Sequence, residues 1–346
     1  MRNEDTRSRH VGQRFAAAVV GLGLAATAVS SCGSTSKAAS AETSTTAAGA
    51  HLSGVTLQMG DQATSVQTLL QTSGELQNLP YRITWSEFPS GAAGIAALTG
   101  GSVDVVPTAD APAIFAFAAH DPVKVISASL PSTPSQSIYG LLVPGNSTIG
   151  NLAALAGKKV GWQTGSVAQY FALQALKQAG VASSSVTFVN LTAGSALSAL
   201  NGGKVDALFS SDPFMSIGVA DFHDKVVVSG APYVKGETFW VASKSALDDP
   251  AISAAIGDLV GRYAKAQLWA AAHRSQWAAT FSHITGLPIA VSDLYVNRSQ
   301  YVTVPITSSN IITPLQNEAD FFYQQKVLTA PLHLTSLFDT RFNNQA

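Results

Sequence analysis

The sequence predicts an α/β protein of two lobes, each a mixed sheet flanked by helices, with a ligand cleft between them. Three observations support this prediction. Short β-branched runs alternate with helical stretches from Val55 onward, a pattern typical of α/β units. Part of the first half of this region recurs in the second half. A long stretch of helical character then ends the chain.

The composition limits both the size of the core and the class of partner. The chain has 346 residues, 46% of them hydrophobic and 12% charged, and its formal net charge is -1. A chain of this length can bury one large core or two moderate ones. No basic stripe stands out, so nucleic acid is not an expected partner.

The first 31 residues have the pattern of a secretory signal. Arginines precede the apolar run from Phe15 to Val29, and small residues follow it, as in signal peptides. The sequence Val29-Ser30-Ser31-Cys32 resembles the lipobox of bacterial lipoproteins, which implies a lipid anchor at Cys32. We therefore expect an exported protein held at the outer face of the bacterial cell membrane. Residues 32–52, rich in Ser, Thr and Ala, are interpreted as a flexible tether.

The cysteine and histidine content argues against several kinds of site. Cys32 is the only cysteine, which excludes an intramolecular disulfide, a thiolate zinc site and a cysteine nucleophile in the folded body. The histidines show no i, i+4 pair and no acidic partner at ligand spacing, so we expect no metal site and no cofactor.

Eight strands and four C-terminal helices are predicted in chain order. The strands are Val55–Met59, Arg82–Glu87, Val103–Val106, Val123–Ser127, Lys159–Trp162, Val186–Asn190, Ala207–Phe209 and Val226–Val228. The helices are Pro250–Ala272, Ser275–Thr285, Ala290–Asn297 and Ile311–Gln325.

The chain is expected to pass twice between the lobes, near Ser137–Val143 and Pro232–Thr238. Lobe 1 then comprises residues 53–138 and 238–346, and lobe 2 comprises residues 139–237. Two lobes with two connections can close by a hinge motion on a small ligand.

The repeat places one polar turn in each lobe, at a strand-to-helix junction. Gly60-x-Gln62-x-x-Ser65-Val66 recurs as Gly161-x-Gln163-x-x-Ser166-Val167. Further along, Ala97-Leu98-x-Gly100-Gly101-x-Val103-Asp104 recurs as Ala199-Leu200-x-Gly202-Gly203-x-Val205-Asp206, and Asp110 and Asp212 follow six residues after each copy. Ligands of open α/β sheets bind beyond the carboxyl ends of the strands, so both turns should border one cleft.

A polar turn that leads into a helix is a candidate anion seat. Its N–H groups are unpaired, and the helix dipole is positive there. A nucleotide is not expected, because Lys158 and Lys159 lie before the glycine of the turn and the turn itself lacks the lysine of a phosphate loop. The alternative is that Ser166 only caps its helix.

Seven motifs, in order, resemble the substrate-binding proteins of ABC importers for aliphatic sulfonates. That family merges into binders of taurine, nitrate and thiamine precursors, and it shares the two-lobed periplasmic-binding fold. The resemblance runs from about Val55 to Leu334. The motifs are Ile83–Gly91, Gly101–Asp104, Thr108–Phe115, Gly157–Val160, Gln163–Ser166, Val205–Ala207 and Asp212-Pro213.

The resemblance implies that backbone N–H groups, hydroxyls and amides at helix starts hold a sulfonate. The implied residues are Gln62, Ser65, Ser90, Gly91, Thr108, Asp110, Gln163, Gly165 and Ser166, with Asp212 facing across and Arg298 supplying the full positive charge. Asp110 and Asp212 could instead cap helices. Trp162 and Trp240 could stack on the ligand tail, or pack at the rim. The family often has an aromatic residue before Asp-Pro, where this chain has Ser211.

The predicted function is capture of a small organic sulfonate, alkanesulfonate or taurine-like, and its delivery to an ABC permease with its ATPase. We expect a monomer without catalytic residues. The alternatives are a receptor for nitrate, a pyrimidine thiamine precursor or an aromatic acid, and an enzyme on the same fold. A desulfinating enzyme of this fold uses a catalytic cysteine, which this chain lacks in its folded body.

Overall fold

The computed structural model describes residues 52–133 and 135–346. The predicted signal, the lipidation site Cys32 and nearly all of the predicted tether lie outside the described residues. Within the described residues the strands are β1 Thr56–Asp61, β2 Arg82–Glu87, β3 Val105–Ala109, β4 Val123–Pro131, β5 Tyr139–Val143, β6 Lys159–Trp162, β7 Thr187–Asn190, β8 Ala207–Ser211, β9 Lys225–Ser229, β10 Thr238–Ser243 and β11 Tyr301–Val304.

The α-helices of the described residues alternate with these strands and then dominate the C-terminal part. They are α1 Ser65–Thr72, α2 Gly91–Thr99, α3 Asp110–Ala118, α4 Val167–Gln178, α5 Ala193–Asn201, α6 Phe214–Asp221, α7 Lys244–Asp248, α8 Pro250–Ala272, α9 Arg274–Thr285, α10 Ile289–Arg298 and α11 Thr313–Gln324. None of the helices in the described part is long and apolar enough to span a membrane.

The strands form two mixed sheets, as the sequence predicts. The sheet of lobe 1 has the order β11-β4-β10-β3-β1-β2, and that of lobe 2 has the order β7-β6-β8-β5-β9. In lobe 1, β1 is parallel to β2 and β3, while β10 is antiparallel to both of its neighbours. In lobe 2, β6 is parallel to β7 and β8, while β5 is antiparallel to β8 and β9. The parallel strands direct their carboxyl ends, and the helices that follow, toward one edge of each sheet.

The predicted passage between the lobes at Ser137–Val143 is wrong in its second half. Tyr139–Val143 is strand β5, all five of its residues are buried, and it lies between β8 and β9. A strand covered on both faces shows no alternation of polar and apolar residues, which hid it. The segments that connect the two sheets are residues 132–138 and 230–237.

The C-terminal helices agree closely with the prediction because local signals mark their ends. Helix α8 has the predicted bounds: Asp249 accepts hydrogen bonds from the N–H groups of Ala251 and Ile252, and Pro250 occupies the first turn. Both features favour a helix start. Helix α11 begins at Thr313 rather than Ile311, because a π-helical turn at Ser308–Ile312 precedes it.

Aromatic side chains of α11 pack against the other lobe. The ring of Tyr170 in α4 lies 5.4 Å from that of Phe321 and 5.6 Å from that of Phe322, centroid to centroid. Phe322 also contacts Phe115 of lobe 1 at 5.4 Å. One buried cluster therefore runs through both lobes, while a second lies under α8 within lobe 1.

Candidate ligand-binding site

A cavity of about 170 Å³ lies between the two lobes. Lobe 1 contributes the beginnings of α2 and α3, and lobe 2 contributes the beginning of α4 with the ends of β6 and β8. The residues that line it are Ser90, Gly91, Ala92, Ala109, Pro112, Tyr139, Trp162, Gln163, Gly165, Ser166, Val167, Ala168, Leu191, Ala196, Leu208, Phe209, Ser210 and Ser211.

Helix α2 presents free N–H groups to this cavity. Ser90 is its N-cap in extended conformation, and its hydroxyl accepts a hydrogen bond from the N–H of Ala93 at 3.2 Å. The N–H groups of Gly91 and Ala92 have no partner among the described residues. Since both residues line the cavity, this helix start is open to an anion.

The beginning of α2 lies against Thr108 of β3. A Cβ atom on Gly91 would be only 2.2 Å from the Thr108 hydroxyl oxygen. Thr108 is buried, and its hydroxyl has no partner among the described residues. The sequence predicts Thr108 as a ligand contact, but the structure places it directly beneath the cavity wall. There its hydroxyl leaves room only for glycine at position 91.

Helix α4 presents free N–H groups from the opposite lobe. The Ser166 hydroxyl accepts from the N–H of Gln169 at 3.4 Å and donates to the carbonyl of Gln163 at 2.7 Å. The N–H groups of Val167 and Ala168 have no partner among the described residues, and both residues line the cavity. Ser166 thus caps its helix and also borders the cavity.

The corresponding turn in lobe 1 is occupied by a side chain of its own. The Asp61 carboxylate accepts from the N–H groups of Gln62 at 2.7 Å, Val66 at 3.1 Å and Gln67 at 2.8 Å. The Ser65 hydroxyl also donates to Asp61, at 3.4 Å. Burial raises the pKa of Asp61 to about 6 despite these donors, and nearby Glu87 adds to the rise.

The prediction that Gln62 and Ser65 contact the ligand is therefore corrected. Neither lines the cavity, and the Gln62 amide donates to the carbonyl of Pro107 at 3.0 Å. The repeat itself contains the signal that distinguishes the two turns, because Asp61 in the first copy corresponds to Trp162 in the second. A carboxylate fills the helix start in lobe 1, and an indole leaves it open in lobe 2.

Arg298 does not face the cavity and is already paired. Its guanidinium donates to the Asp212 carboxylate at 2.7 and 3.0 Å and also to the Ser216 hydroxyl. The N–H of Ser216 donates to Asp212 at 2.8 Å. The Asp212 side chain is fully buried, so this pair joins the end of α10 in lobe 1 to the turn before α6 in lobe 2. The predicted role of both residues at the ligand is corrected to a contact between the lobes.

Asp110 belongs to a group of buried carboxyls behind the cavity wall. Its carboxylate accepts from the N–H of Ala111 at 2.7 Å and interacts electrostatically with Glu318 of α11. Burial raises the pKa of Asp110, Glu237 and Glu318, and the charges of the other two carboxyls raise that of Glu318 further. Asp110 is thus absent from the cavity wall, and the sequence offers no signal that these three carboxyls meet.

The two tryptophans considered for the ligand tail have different surroundings. Trp240 is 4% exposed and packs on Tyr263 of α8, at 4.8 Å between centroids, outside the cavity. Its predicted place in the site is corrected. Trp162 lines the cavity, stacks on Phe188 at 4.2 Å, and has a buried indole N–H without a partner among the described residues.

Sequence reasoning did not predict a ligand contact for several residues of the wall. They are Ala92, Ala109, Tyr139, Leu191, Ala196, Leu208, Phe209, Ser210 and Ser211 among others. Across residues 52–133 and 135–346, no cluster of three His, Cys, Asp or Glu side chains could hold a metal ion.

Two α/β lobes that enclose a cavity at the carboxyl edges of their sheets define a solute-binding protein with the periplasmic-binding fold. A family model described as NMT1/THI5 like matches residues 87–231. A protein of Escherichia coli strain K12 that is named for binding aliphatic sulfonates is 30% identical over 82% of this chain and 89% of its own length. The chain belongs to the family of the aliphatic sulfonate-binding proteins.

Solved structures support the same relationship. The periplasmic aliphatic sulphonate binding protein SsuA from Escherichia coli is 27% identical, with a TM-score of 0.74 over 82% of this chain and 92% of that one. The alkanesulfonate-binding protein SsuA from Xanthomonas axonopodis pv. citri, bound to MOPS, is 27% identical, with a TM-score of 0.73 over 82% and 98%. The desulfurization enzyme DSZB, 15% identical with a TM-score of 0.63, shares the fold alone.

Proposed function

We propose that this chain is the solute receptor of an ABC importer, which captures a small organic sulfonate and delivers it to a permease with its ATPase. The proposal rests on two helix N-termini whose first N–H groups are unpaired. Gly91 and Ala92 of α2 and Val167 and Ala168 of α4 offer four unpaired N–H groups to one cavity. Two positive dipole ends that meet at one point favour an anion.

The character of the wall suits a sulfonate in particular. None of the described residues that line the cavity is charged, and Arg298 is neutralised by Asp212. Neutral donors hold a weakly basic oxyanion without the burial of further charges, and the anion can leave when the lobes separate. The solved relative that contains MOPS, itself an organic sulfonate, supports the same ligand class here.

An enzyme is the less supported reading of the same cavity. No histidine, cysteine or carboxylate is among the described residues of its wall. A hydrolytic or desulfinating reaction needs a nucleophile or a general base within reach of the substrate. Ser90 and Ser166 use their hydroxyls to cap helices and have no such base beside them.

Titration calorimetry on the purified protein tests this function. Methanesulfonate, ethanesulfonate, taurine, sulfate, nitrate and hydroxymethylpyrimidine form the panel. We expect the organic sulfonates to bind with micromolar or lower Kd and to raise the Tm, since a ligand that binds only the native state stabilises it. Binding of nitrate or the pyrimidine without any sulfonate would contradict the proposal, and release of sulfite from any sulfonate would identify an enzyme.

Export and lipid anchoring are part of the proposal and rest on the sequence around Cys32. Cys32→Ser should abolish incorporation of radiolabelled palmitate and shift the protein from the membrane fraction to the soluble fraction of a bacterial host. Ser31→Ala, which keeps a small residue before the cysteine, is the matched control and should remain labelled. Equal labelling of both variants would place the lipid elsewhere. We further propose that the receptor acts as a monomer, which light scattering can measure.

A further inference from the structure

Three carboxyl groups meet where the second segment that connects the two sheets, residues 230–237, enters lobe 1. In the antiparallel pairing of β3 with β10, Thr238 lies opposite Ala109. One residue further along both chains, Glu237 and Asp110 leave this pairing at the same end, and the charge of Asp110 acts on Glu237. Glu318 comes from α11, which packs against α3. The three acidic residues are at most 5% exposed, and we call them the hinge carboxyls.

The cavity lies beside the hinge carboxyls. Pro112, two residues after Asp110, lines its wall, and Tyr139 lines it as well. A Cβ atom on Gly236, the residue before Glu237, would lie 3.6 Å from Cε2 of the Tyr139 ring. An anion at the starts of α2 and α4 is therefore a close neighbour of this acidic group. Like charges near one another disfavour the ionised form of a carboxyl.

Side chains of lobe 2 cover the hinge carboxyls. The ring of Tyr170 in α4 lies 5.6 Å from that of Phe322, centroid to centroid, and Phe322 is one turn after Glu318 on α11. Both Tyr139 and Tyr170 lie within electrostatic reach of all three carboxyls. Since these tyrosines belong to lobe 2, a hinge motion that separates the lobes exposes the carboxyls to water.

The other titratable groups around the hinge carboxyls do not neutralise them. The phenols keep their protons, because burial raises the pKa of each. They belong to Tyr139, Tyr170 and Tyr301. Burial and the charge of Asp110 raise the pKa of Glu237 more than Lys235 lowers it, and the exposed Lys235 ammonium donates to the carbonyl of Asn310 at 3.3 Å. Oε1 of Glu318 is buried without a partner among the described residues, which favours the neutral carboxyl.

Building on the sulfonate function proposed above, we infer that capture of the anion is coupled to uptake of protons by the hinge carboxyls Asp110, Glu237 and Glu318. When the lobes are apart, water reaches the carboxylates and stabilises their charge. When the anion enters and the lobes close, a proton from the solvent joins a carboxylate and turns it into a neutral carboxyl. The anion is then held without a bare negative charge behind the cavity wall.

The sign of the pH dependence follows from this coupling. A complex that binds more protons than the free receptor is favoured at low pH. Sulfonate affinity should therefore fall as the pH rises from about 4, the ordinary pKa of a glutamate, to about 7, the pKa to which burial raises Glu237 here. A sulfonate is the anion of a strong acid and stays ionised throughout, so the proton belongs to the protein.

Calorimetry of methanesulfonate and ethanesulfonate in buffers of different ionisation enthalpy counts the protons that the protein takes up on binding. We expect about one proton per bound anion near pH 6.5, and a Kd that rises at least tenfold between about pH 5.5 and about pH 7.5. If neither sulfonate binds at any pH, the proposed function itself is wrong. If binding occurs without proton uptake and with the same Kd at both pH values, only the coupling is overturned.

Glutamine variants locate the proton. Glu237→Gln and Glu318→Gln imitate the neutral carboxyl, so together they should reduce the proton uptake by more than half, and each alone should reduce it by less. The double variant should bind sulfonate more tightly than the parent protein near pH 7.5, where the parent must first take up a proton, and equally well near pH 5.5. A gain in affinity separates this role from damage to the fold.

Asp224→Asn is the matched control. It removes a carboxyl of lobe 2 whose pKa is also raised by burial, and which accepts from the Asn201 amide at 3.2 Å rather than facing the cavity. Its proton uptake should equal that of the parent. Uptake that is also unchanged in Glu237→Gln and Glu318→Gln would place the proton at another group, such as Asp61, and overturn the inference.

Discussion

Asp61 and Trp162 occupy equivalent positions in the repeat and have opposite effects on the helix that follows. The carboxylate of Asp61 accepts from three backbone N–H groups of its own turn, so an external anion would meet both occupied donors and a neighbouring acid. The indole of Trp162 packs sideways on Phe188 and leaves α4 open. The residue at this position therefore determines whether the N–H groups of the turn are already occupied by a side chain.

Gly91→Ala should disrupt the anion seat from lobe 1. The added methyl group would lie 2.2 Å from the Thr108 hydroxyl oxygen, so α2 must move away from β3. We expect a loss of about 1–3 kcal/mol of unfolding free energy and at least tenfold weaker sulfonate binding, measured by denaturant titration and calorimetry. Adding Thr108→Ala to the Gly91→Ala variant removes the clashing oxygen. The double variant should regain part of the lost unfolding free energy and part of the lost sulfonate affinity. Equal defects in the single and double variants would contradict this explanation.

Arg298→Gln should destabilise the protein more than removal of both charges does. The Asp212 side chain is fully buried, and an unpaired buried carboxylate costs about 3–5 kcal/mol. In the Arg298→Gln/Asp212→Asn variant no charge remains, so the loss of unfolding free energy should be smaller. Denaturant unfolding of the two single variants and the double variant measures the coupling. Losses that simply add would show that the pair contributes no interaction of its own.

The first turns of α2 and α4 are the elements that form the proposed anion site. The residue before each helix, Ser90 or Ser166, is extended and caps the helix, and the two N–H groups that follow remain unpaired. Both serines were predicted as ligand contacts, Ser166 at the polar turn before its helix and Ser90 through the family resemblance. The sequence did not predict that α2, rather than α1, lies opposite α4, because that depends on how the strands are ordered in the sheet.

Val167→Pro should remove one donor from α4 without breaking the helix. Proline is tolerated in the first turn, and Ser166 already has the extended conformation, φ -122° and ψ 165°, that a residue before proline requires. A hydrogen bond to a charged group contributes about 1.5–3 kcal/mol, so Kd should rise by roughly tenfold to a hundredfold. Val167→Ala keeps the N–H and should bind within about threefold of the parent. Unchanged affinity in Val167→Pro would mean that the anion lies elsewhere.

Element boundaries were predictable where a local signal marks them. Asp249-Pro250 marks the start of α8, and Gly286 with φ 69° ends α9. Strands β5 and β10 were missed for the opposite reason, because both are buried along almost their whole length and show no alternation. Such strands form only because neighbouring strands and helices cover both faces.

Across the whole molecule, the lobes meet through charged and aromatic contacts around the cavity. Arg298 reaches Asp212, and Phe321 of α11 reaches Tyr170 of α4. Next to them the buried carboxyls of Asp110, Glu237 and Glu318 have raised pKa values. A carboxyl whose pKa is higher in the folded state binds its proton more tightly there than in the unfolded chain.

The unfolding free energy should therefore fall as the pH rises from about 4 to about 7. Burial raises the pKa of Glu237 to about 7, and the charge of Asp110 adds to the rise, so the folded protein binds more protons than the unfolded one in this window. Glu237→Gln replaces this carboxyl with a group that is neutral at every pH. The fall in unfolding free energy between about pH 4 and about pH 7 should then be smaller by roughly 2 kcal/mol. Denaturant titrations at several pH values measure both. A parent protein whose stability rises across this window would contradict the assignment.

The sequence by itself determined the α/β class, the two related lobes, the helix caps and the family motifs, because these depend on local periodicity, capping chemistry and residue identity. The tertiary structure alone decided which of the predicted residues reach the cavity. It placed Gln62 and Ser65 with Asp61, Arg298 with Asp212, and Trp240 in the core. A side chain contacts a ligand only if no nearer partner satisfies it, and that competition depends on residues distant in the sequence.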